Sequence, residues 1–196
     1  MKTLIEYNDL GQPVIQLTQN DYDNCVNVSE LMQATSKQLN HKDGKWGITA
    51  KESWEAQFCG ALGEQTIANY FDYDYSYLGY DANRSDVLGY QIRATYHGNG
   101  SLITHPIKTS TNPGGDNAGR YILVTIDKSY SATIRGYSSL TRCNKRTDNW
   151  TTKINGCAVR WPAYFMPQTQ LWPIEMLPAT DELINHQQRR RNARYL

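Results

Sequence analysis

The segment SDVLGYQIRATYH, residues 85–97, contains residue types that a metal-dependent phosphodiesterase uses. Asp86 precedes Gln91 and Arg93, and in a strand the last two side chains point to the same face because they are two residues apart. Carboxylate and amide oxygens are ligands for Mg²⁺, and a cation can bind the scissile phosphate. Glutamine stands where a carboxylate is usual and arginine where a lysine is usual. Because arginine is never deprotonated in a protein, Arg93 could bind a phosphate but could not act as a base.

A third acidic residue, Glu64 in GALGEQTIA, lies on a predicted helix near the side that should face the sheet. The predicted site therefore holds Mg²⁺ with Glu64, Asp86 and Gln91 and places Arg93 on the phosphate. The short gap between Asp86 and Gln91 leaves little room for a hairpin, so Asp81, ten positions before Gln91, is the alternative to Asp86.

These residues also have a purely structural interpretation. Glu64 would then be an exposed helix residue, Asp86 a turn residue, and Gln91 and Arg93 the solvent face of an edge strand. Asp72 and Asp74 lie in an acidic, tyrosine-rich segment and are interpreted as solvated.

The elements that must position these residues follow from hydrophobic spacing. The residues around NDLGQP predict an N-terminal hairpin or an extended arm, and residues 25–40 and 49–71 have helical spacing, with Thr49 as a possible N-cap. The apolar stripe of the second helix consists of Trp54, Phe58, Ala61, Leu62, Ile67, Ala68 and Phe71. A terminal helix begins after Thr180, its predicted cap.

Strands dominate the region between these helices. VLGYQIRATYH and SLITHPI alternate around GNG, which predicts a tight hairpin. YILVTI, residues 121–126, is apolar almost throughout and predicts a central strand buried on both faces. Residues 142–161 form a polar excursion with five cations and one acid, and Gln168 either caps a turn or reaches the site, the turn being favoured.

The order of elements predicts an α+β or α/β fold with a small mixed central sheet flanked by helices. Residues 1–50 would form an N-terminal arm and helix, residues 51–178 the core, and residues 179–196 a basic C-terminal helix, all within a single domain.

Composition restricts the class of protein less than the motifs do. A net charge of +1 over 196 residues gives no bulk signal for nucleic acid or membrane, and no apolar run approaches the ~20 residues of a membrane span. The four cysteines lack zinc-ligand spacing and no signal peptide is recognisable, so we expect a soluble protein with reduced cysteines in a cytoplasm. The tail carries four arginines without an acid, typical of phosphate contact or of a solvated terminus: Arg189, Arg190, Arg191 and Arg194.

Three segments resemble a family of small proteins of tailed bacteriophages and their hosts, themselves similar to PD-(D/E)XK nuclease-like proteins. The segments are Gly60-Ala-Leu-Gly63-Glu64, Asp86…Gln91-Ile92-Arg93-Ala94-Thr95 and Pro162-Ala-Tyr-Phe-Met-Pro-Gln168, within residues 55–175. The resemblance implies a PD-(D/E)XK-like core with a site at Glu64, Asp86, Gln91 and Arg93.

The expected function is a phage-encoded, Mg²⁺-dependent endonuclease or exonuclease acting on DNA or RNA in the host cytoplasm. The alternative is a catalytically inactive protein of the same fold, because the fold also supports binding proteins. It would serve as a virion component, a host-interaction protein or a nucleic-acid binder.

Overall fold

The computed structural model describes residues 4–38, 50–75, 86–110, 116–154 and 157–193. It contains four helices and eight strands in these ranges. The helices are α1 (Gln19–Gln38), α2 (Ala50–Tyr70), α3 (Leu140–Lys145) and α4 (Asp181–Ala193). The strands are β1 (Ile5–Tyr7), β2 (Pro13–Gln16), β3 (Gln91–Thr95), β4 (Leu102–Thr104), β5 (Arg120–Ile126), β6 (Ser131–Ser139), β7 (Trp150–Ile154) and β8 (Cys157–Met166).

Five strands form a mixed sheet in the order β1-β2-β6-β5-β3. Strand β3 pairs with β5 in parallel, and the other neighbours are antiparallel. The predicted N-terminal hairpin is confirmed: β1 pairs with β2, and Asn8 Oδ1 accepts hydrogen bonds from the backbone N–H groups of Leu10 and Gln12 in the turn between them.

Helix α2 packs on one face of this sheet, as its apolar stripe predicts, and α1 packs against α2. Five stripe residues of α2 are buried, while Trp54 and Phe71 are partly buried against the same core. The buried five are Phe58, Ala61, Leu62, Ile67 and Ala68. The proposed cap, Thr49, and residues 39–49 lie outside the described residues.

Strand β5 is central and buried on both faces, which confirms the prediction for residues 121–126. Ile122 and Val124 belong to the core beneath α1 and α2. Tyr121 and Leu123 belong to a second apolar cluster, shared with Leu140 of α3 and with the three-stranded sheet β4-β8-β7. The large sheet is therefore covered by helices on one face and by α3 and the small sheet on the other.

The predicted hairpin around GNG is wrong. A turn does form there, with Gly100 N donating to His97 O at 2.8 Å, but β3 pairs with β5 and β4 pairs with β8. The turn therefore carries the chain from one sheet to the other. Gln168 holds it in place by donating from Nε2 to the carbonyl oxygens of Gly98 and Gly100, both at 2.9 Å, so the structural interpretation of Gln168 is confirmed.

The polar excursion at residues 142–161 contains regular structure. It comprises most of α3, the strand β7 and the first half of β8, and β7 and β8 form an antiparallel pair. The terminal helix is confirmed together with its cap, because Thr180 Oγ1 accepts a hydrogen bond from Leu183 N at 3.1 Å.

The fold is mixed α+β, as predicted. Its finer assignment to a PD-(D/E)XK core stays a prediction from the sequence resemblance. None of the helices in the described ranges combines the length and the apolar character needed to cross a membrane.

Candidate functional site

A tight turn explains how Asp86 can reach strand β3 despite the short gap in sequence. Asp86 N and Tyr90 O are joined by a 2.9 Å hydrogen bond, and Leu88 and Gly89 adopt positive φ angles of 50° and 83°. The chain reverses within these residues, and Asp86 Oδ2 then accepts a hydrogen bond from Ile92 N at 2.6 Å. Asp86 is thereby fixed beside the strand, whereas Asp81 lies outside the described residues.

Glu64 is largely enclosed on α2 and is held by a tyrosine. Tyr75 OH donates to Glu64 Oε2 at 2.9 Å. The pKa of Glu64 is raised to about 8, first by burial and then by the negative charge of Asp86, against smaller lowering effects from the Tyr75 hydrogen bond and from Arg93. Glu64 therefore holds its proton to a higher pH than an exposed carboxyl group does.

The pKa of Asp86 is also raised, first by loss of hydration, although the residue as a whole retains substantial exposure. The hydrogen bond from Ile92 N and the charge of Arg93 oppose this shift, and Asp116 adds to it. Glu64 and Asp86 thus form a pair of carboxyl groups that resists losing both protons.

Arg93 is held on the opposite side of strand β3 from α2. Its Nη2 lies 3.2 Å from Asp116 Oδ1, and its guanidinium lies 5.0 Å from the centre of the Tyr121 ring. Asp116 also accepts a hydrogen bond from His105 N at 2.9 Å. Sequence reasoning missed Asp116, since it sits in a glycine-rich loop; an isolated acid shortly before a buried strand is the only signal it offers.

The pleat of β3 separates the predicted site residues between two faces of the sheet. Ile92 and Ala94 face α2, where a Cβ atom on Gly63 would lie 2.6 Å from Ala94 Cβ. Arg93 faces Tyr121 instead, and alternation gives Gln91 the same face as Arg93. Strand β3 is the last strand of the sheet in the described ranges, so an ion shared by Glu64, Asp86 and Gln91 would lie around that edge.

The residues present suit Mg²⁺ in chemistry, with two carboxylates and one amide oxygen as hard donors. Within the described ranges, no three His, Cys, Asp or Glu side chains are grouped so that they could hold a metal ion. Two carboxylates are a common set of protein ligands for Mg²⁺, which usually binds one or two carboxylates and keeps several waters.

A polar pocket of about 770 Å³ adjoins Tyr75, between α1 and the C-terminal half of α2. Asn24 and Gln65 meet inside it through a 2.8 Å hydrogen bond, and Gln65 donates to Asn69 at 2.8 Å. The lining residues in the described part of the chain include four aspartates and no lysine, arginine or histidine. They are Thr18, Asn20, Asp21, Asp23, Asn24, Asn27, Gln65, Asn69, Asp72, Tyr73, Asp74 and Tyr75. Asp72 and Asp74 are thus pocket residues as well as exposed ones.

The basic tail is only partly available for phosphate. Arg189 and Arg191 are exposed on α4, whereas Arg190 forms an ion pair with Asp72. Arg194 lies outside the described residues.

Comparisons with known proteins give no match to a family model, to a curated protein or to a solved structure. The relationship to phage proteins and to PD-(D/E)XK nucleases therefore stays a prediction from the segments of the sequence that carry it.

Proposed function

We propose that the protein is a Mg²⁺-dependent phosphodiesterase acting on nucleic acid, with the ion at Glu64 and Asp86. The observation that carries this proposal is the pair of carboxyl groups with raised pKa at the end of strand β3. A divalent cation would supply the positive charge that the pair lacks, and both groups would then ionise. The phage origin and the host cytoplasm belong to the same proposal and rest on the resemblance alone.

Each residue has a defined task in this proposal. The Tyr75 hydroxyl orients Glu64, and the Ile92 N–H orients Asp86, so that the two carboxylates hold the ion with the Gln91 amide as a further oxygen donor. A bound Mg²⁺ would lower the pKa of a coordinated water. Arg93 is the cation on β3 and is about one-third exposed. It would contact the phosphate, which would compete with Asp116 for the guanidinium group.

The second candidate function is that of a non-catalytic protein that binds another phage or host protein. The acidic pocket beside Tyr75 favours it. Asp72 is paired with Arg190, and the other three aspartates repel a phosphate backbone and attract a basic partner. The ion pair between Arg93 and Asp116 also favours the non-catalytic function, because it gives Arg93 a structural role.

A nuclease assay separates the two candidates. Single- and double-stranded DNA and RNA are incubated with the protein and Mg²⁺ or Mn²⁺, with chelator as a blank. We expect metal-dependent cleavage by the wild type, its loss in Glu64→Gln and Asp86→Asn, and its retention in the control Glu6→Gln, which removes an exposed carboxylate on β1. Cleavage that persists in both site variants would refute the site. A folded protein that neither cleaves nor binds Mg²⁺ in calorimetry would favour the second candidate.

A further inference from the structure

We propose that the protein binds single-stranded nucleic acid through Trp150 and Trp172, together with Arg142 and Lys145. These four residues are called the tryptophan surface below. They come from the polar excursion and from the segment that follows β8. Binding here requires neither the metal nor cleavage, so it is independent of the function proposed above.

Adjoining segments carry two partly exposed tryptophan residues. Trp150 is 39% exposed and Trp172 is 37% exposed. The segments that carry them are joined by a hydrogen bond of 2.8 Å from Asn149 Nδ2 to Gln170 Oε1. Exposed aromatic rings on neighbouring segments are the arrangement on which successive unpaired bases stack.

The position of Trp172 is fixed by the backbone. Its N–H and C=O form reciprocal hydrogen bonds with Tyr137 of β6, both 2.9 Å long. The approach requires glycine at position 136, where φ is +129° and a Cβ atom would lie 2.4 Å from the Trp172 carbonyl oxygen. The backbone is thus fixed, and the ring packs against the Tyr137 ring with centroids 5.4 Å apart, so less entropy is lost when a ligand binds.

Two cations of α3 belong to this surface. The Arg142 guanidinium lies 4.3 Å from the centre of the Trp172 ring, and Lys145 is exposed at the end of α3. Arg146 and Asp148 pair with each other at 3.5 Å, so the positive charge left at this surface comes from Arg142 and Lys145. The Trp150 ring packs against Tyr164 at 4.9 Å with the two ring planes tilted by 57°.

The distribution of charge favours a polyanion at the tryptophan surface. Asp72, one of the four pocket aspartates, is paired with Arg190, which leaves three carboxylates to repel a phosphate backbone at the pocket. Arg142 and Lys145 attract a phosphate backbone at the tryptophan surface. A duplex hides its base faces, so stacking on exposed rings selects a single strand.

Fluorescence anisotropy of a labelled thymidine oligonucleotide, with chelator present, tests the proposal. We expect Trp150→Leu and Trp172→Leu each to weaken binding about tenfold, and Trp150→Phe and Trp172→Phe to bind nearly as the wild type because a ring is kept. Lys145→Ala should lower the slope of log affinity against log salt by about 0.7. The matched controls are Tyr7→Leu, an aromatic residue 59% exposed on β1, and Lys128→Ala, an exposed cation in the turn between β5 and β6.

Several outcomes would overturn the proposal: no binding by the wild type, leucine variants that bind as tightly as the phenylalanine variants, or controls that weaken binding as much as the surface variants. Equal competition by dextran sulfate and by the oligonucleotide would also overturn it, since charge alone would then explain binding. Circular dichroism shows which variants fold. The exposed position of Lys145 keeps the test decisive even if Trp172→Leu does not fold.

Discussion

At the scale of single residues, Glu64 has the most unusual environment in the described part of the candidate site. Its carboxyl group is enclosed, hydrogen-bonded by Tyr75 and close to a second acid. A carboxyl group in such a place is stable in its protonated form and costs free energy when ionised. The protein tolerates this cost, which is typical of residues retained for function.

The first prediction concerns the pH dependence of stability. Between its unfolded pKa of 4.5 and its folded pKa of about 8, Glu64 binds more protons in the folded state than in the unfolded state. The contribution of Glu64 to the free energy of unfolding is therefore fully present below pH 4.5 and is lost as the pH rises to about 8. Glu64→Gln removes this loss, so we expect the stability of the variant relative to wild type to increase across that interval and then level off. Urea unfolding at several pH values measures it; a difference that does not change with pH contradicts the assignment, and Glu6→Gln serves as the control.

The second prediction concerns the contact between α2 and β3. A Cβ atom on Gly63 would lie 2.6 Å from Ala94 Cβ, whereas a Cβ atom on Gly60 would meet nothing within 4 Å. We expect Gly63→Ala to lower the free energy of unfolding by about 1–3 kcal/mol through overpacking. Gly60→Ala should raise it by about 0.5–1 kcal/mol, because alanine is the better helix former. Denaturant titration of the two variants compares them directly, and equal effects would show that α2 does not approach β3 so closely.

At the scale of elements, the turn that carries Asp86 is fixed by the start of α4. Thr180 Oγ1 accepts from Leu183 N at 3.1 Å and donates to Leu88 O at 2.5 Å. One hydroxyl thus caps a helix and anchors the tight turn that places Asp86 beside β3.

The third prediction tests this double use. Thr180→Ala should cost about 1–2 kcal/mol of stability, because both the cap and the bond to the turn are lost. Thr180→Ser retains the hydroxyl and should cost much less. Thermal unfolding of the two variants measures the difference, and an alanine variant as stable as the serine variant would exclude the anchoring role.

Local patterns in the sequence were sufficient to predict the elements with local causes. The stripe of α2, the buried strand β5 and the Thr180 cap each follow from residues a few positions apart. The pairing of β3 could not be predicted from GNG, because its partner β5 lies beyond the next strand and a turn does not determine which strands pair. The same holds for Arg93, whose partner Asp116 is distant in sequence.

Asp86 shows the limit of spacing as a guide. The number of residues between Asp86 and Gln91 suggests that the gap is too short for a hairpin. A tight turn with two positive φ angles nevertheless reverses the chain within it. The division of Glu64 and Gln91 between two faces of the sheet needed the position of α2, which spacing within β3 does not contain.

At the scale of the whole molecule, the free cysteines whose side chains the structure describes can be used to test whether the protein stays folded. Cys25, Cys59 and Cys143 are buried, and burial raises the pKa of both Cys25 and Cys59 to about 12. Thiols in this state are protonated and shielded, so they react slowly.

The fourth prediction follows from their burial. In a Cys157→Ser variant, a thiol reagent should label the folded protein only at the rate at which it opens, and should label it completely in urea. Mass spectrometry over time gives both rates. Rapid labelling under native conditions would show that these residues are accessible.

The chain builds its two sheets in alternation, since β4 of the small sheet is made before β5 and β6 of the large one, and β7 and β8 follow. During synthesis, the five strands of the large sheet are present once Ser139 has been made. Met166, which covers Tyr121 and Leu123 in the folded protein, is made only later. A ribosome-bound chain paused between these points would therefore expose an apolar surface that the finished protein hides. No single cut between β3 and β8 releases a fragment with both sheets complete, so truncation is a poor route to a smaller working unit.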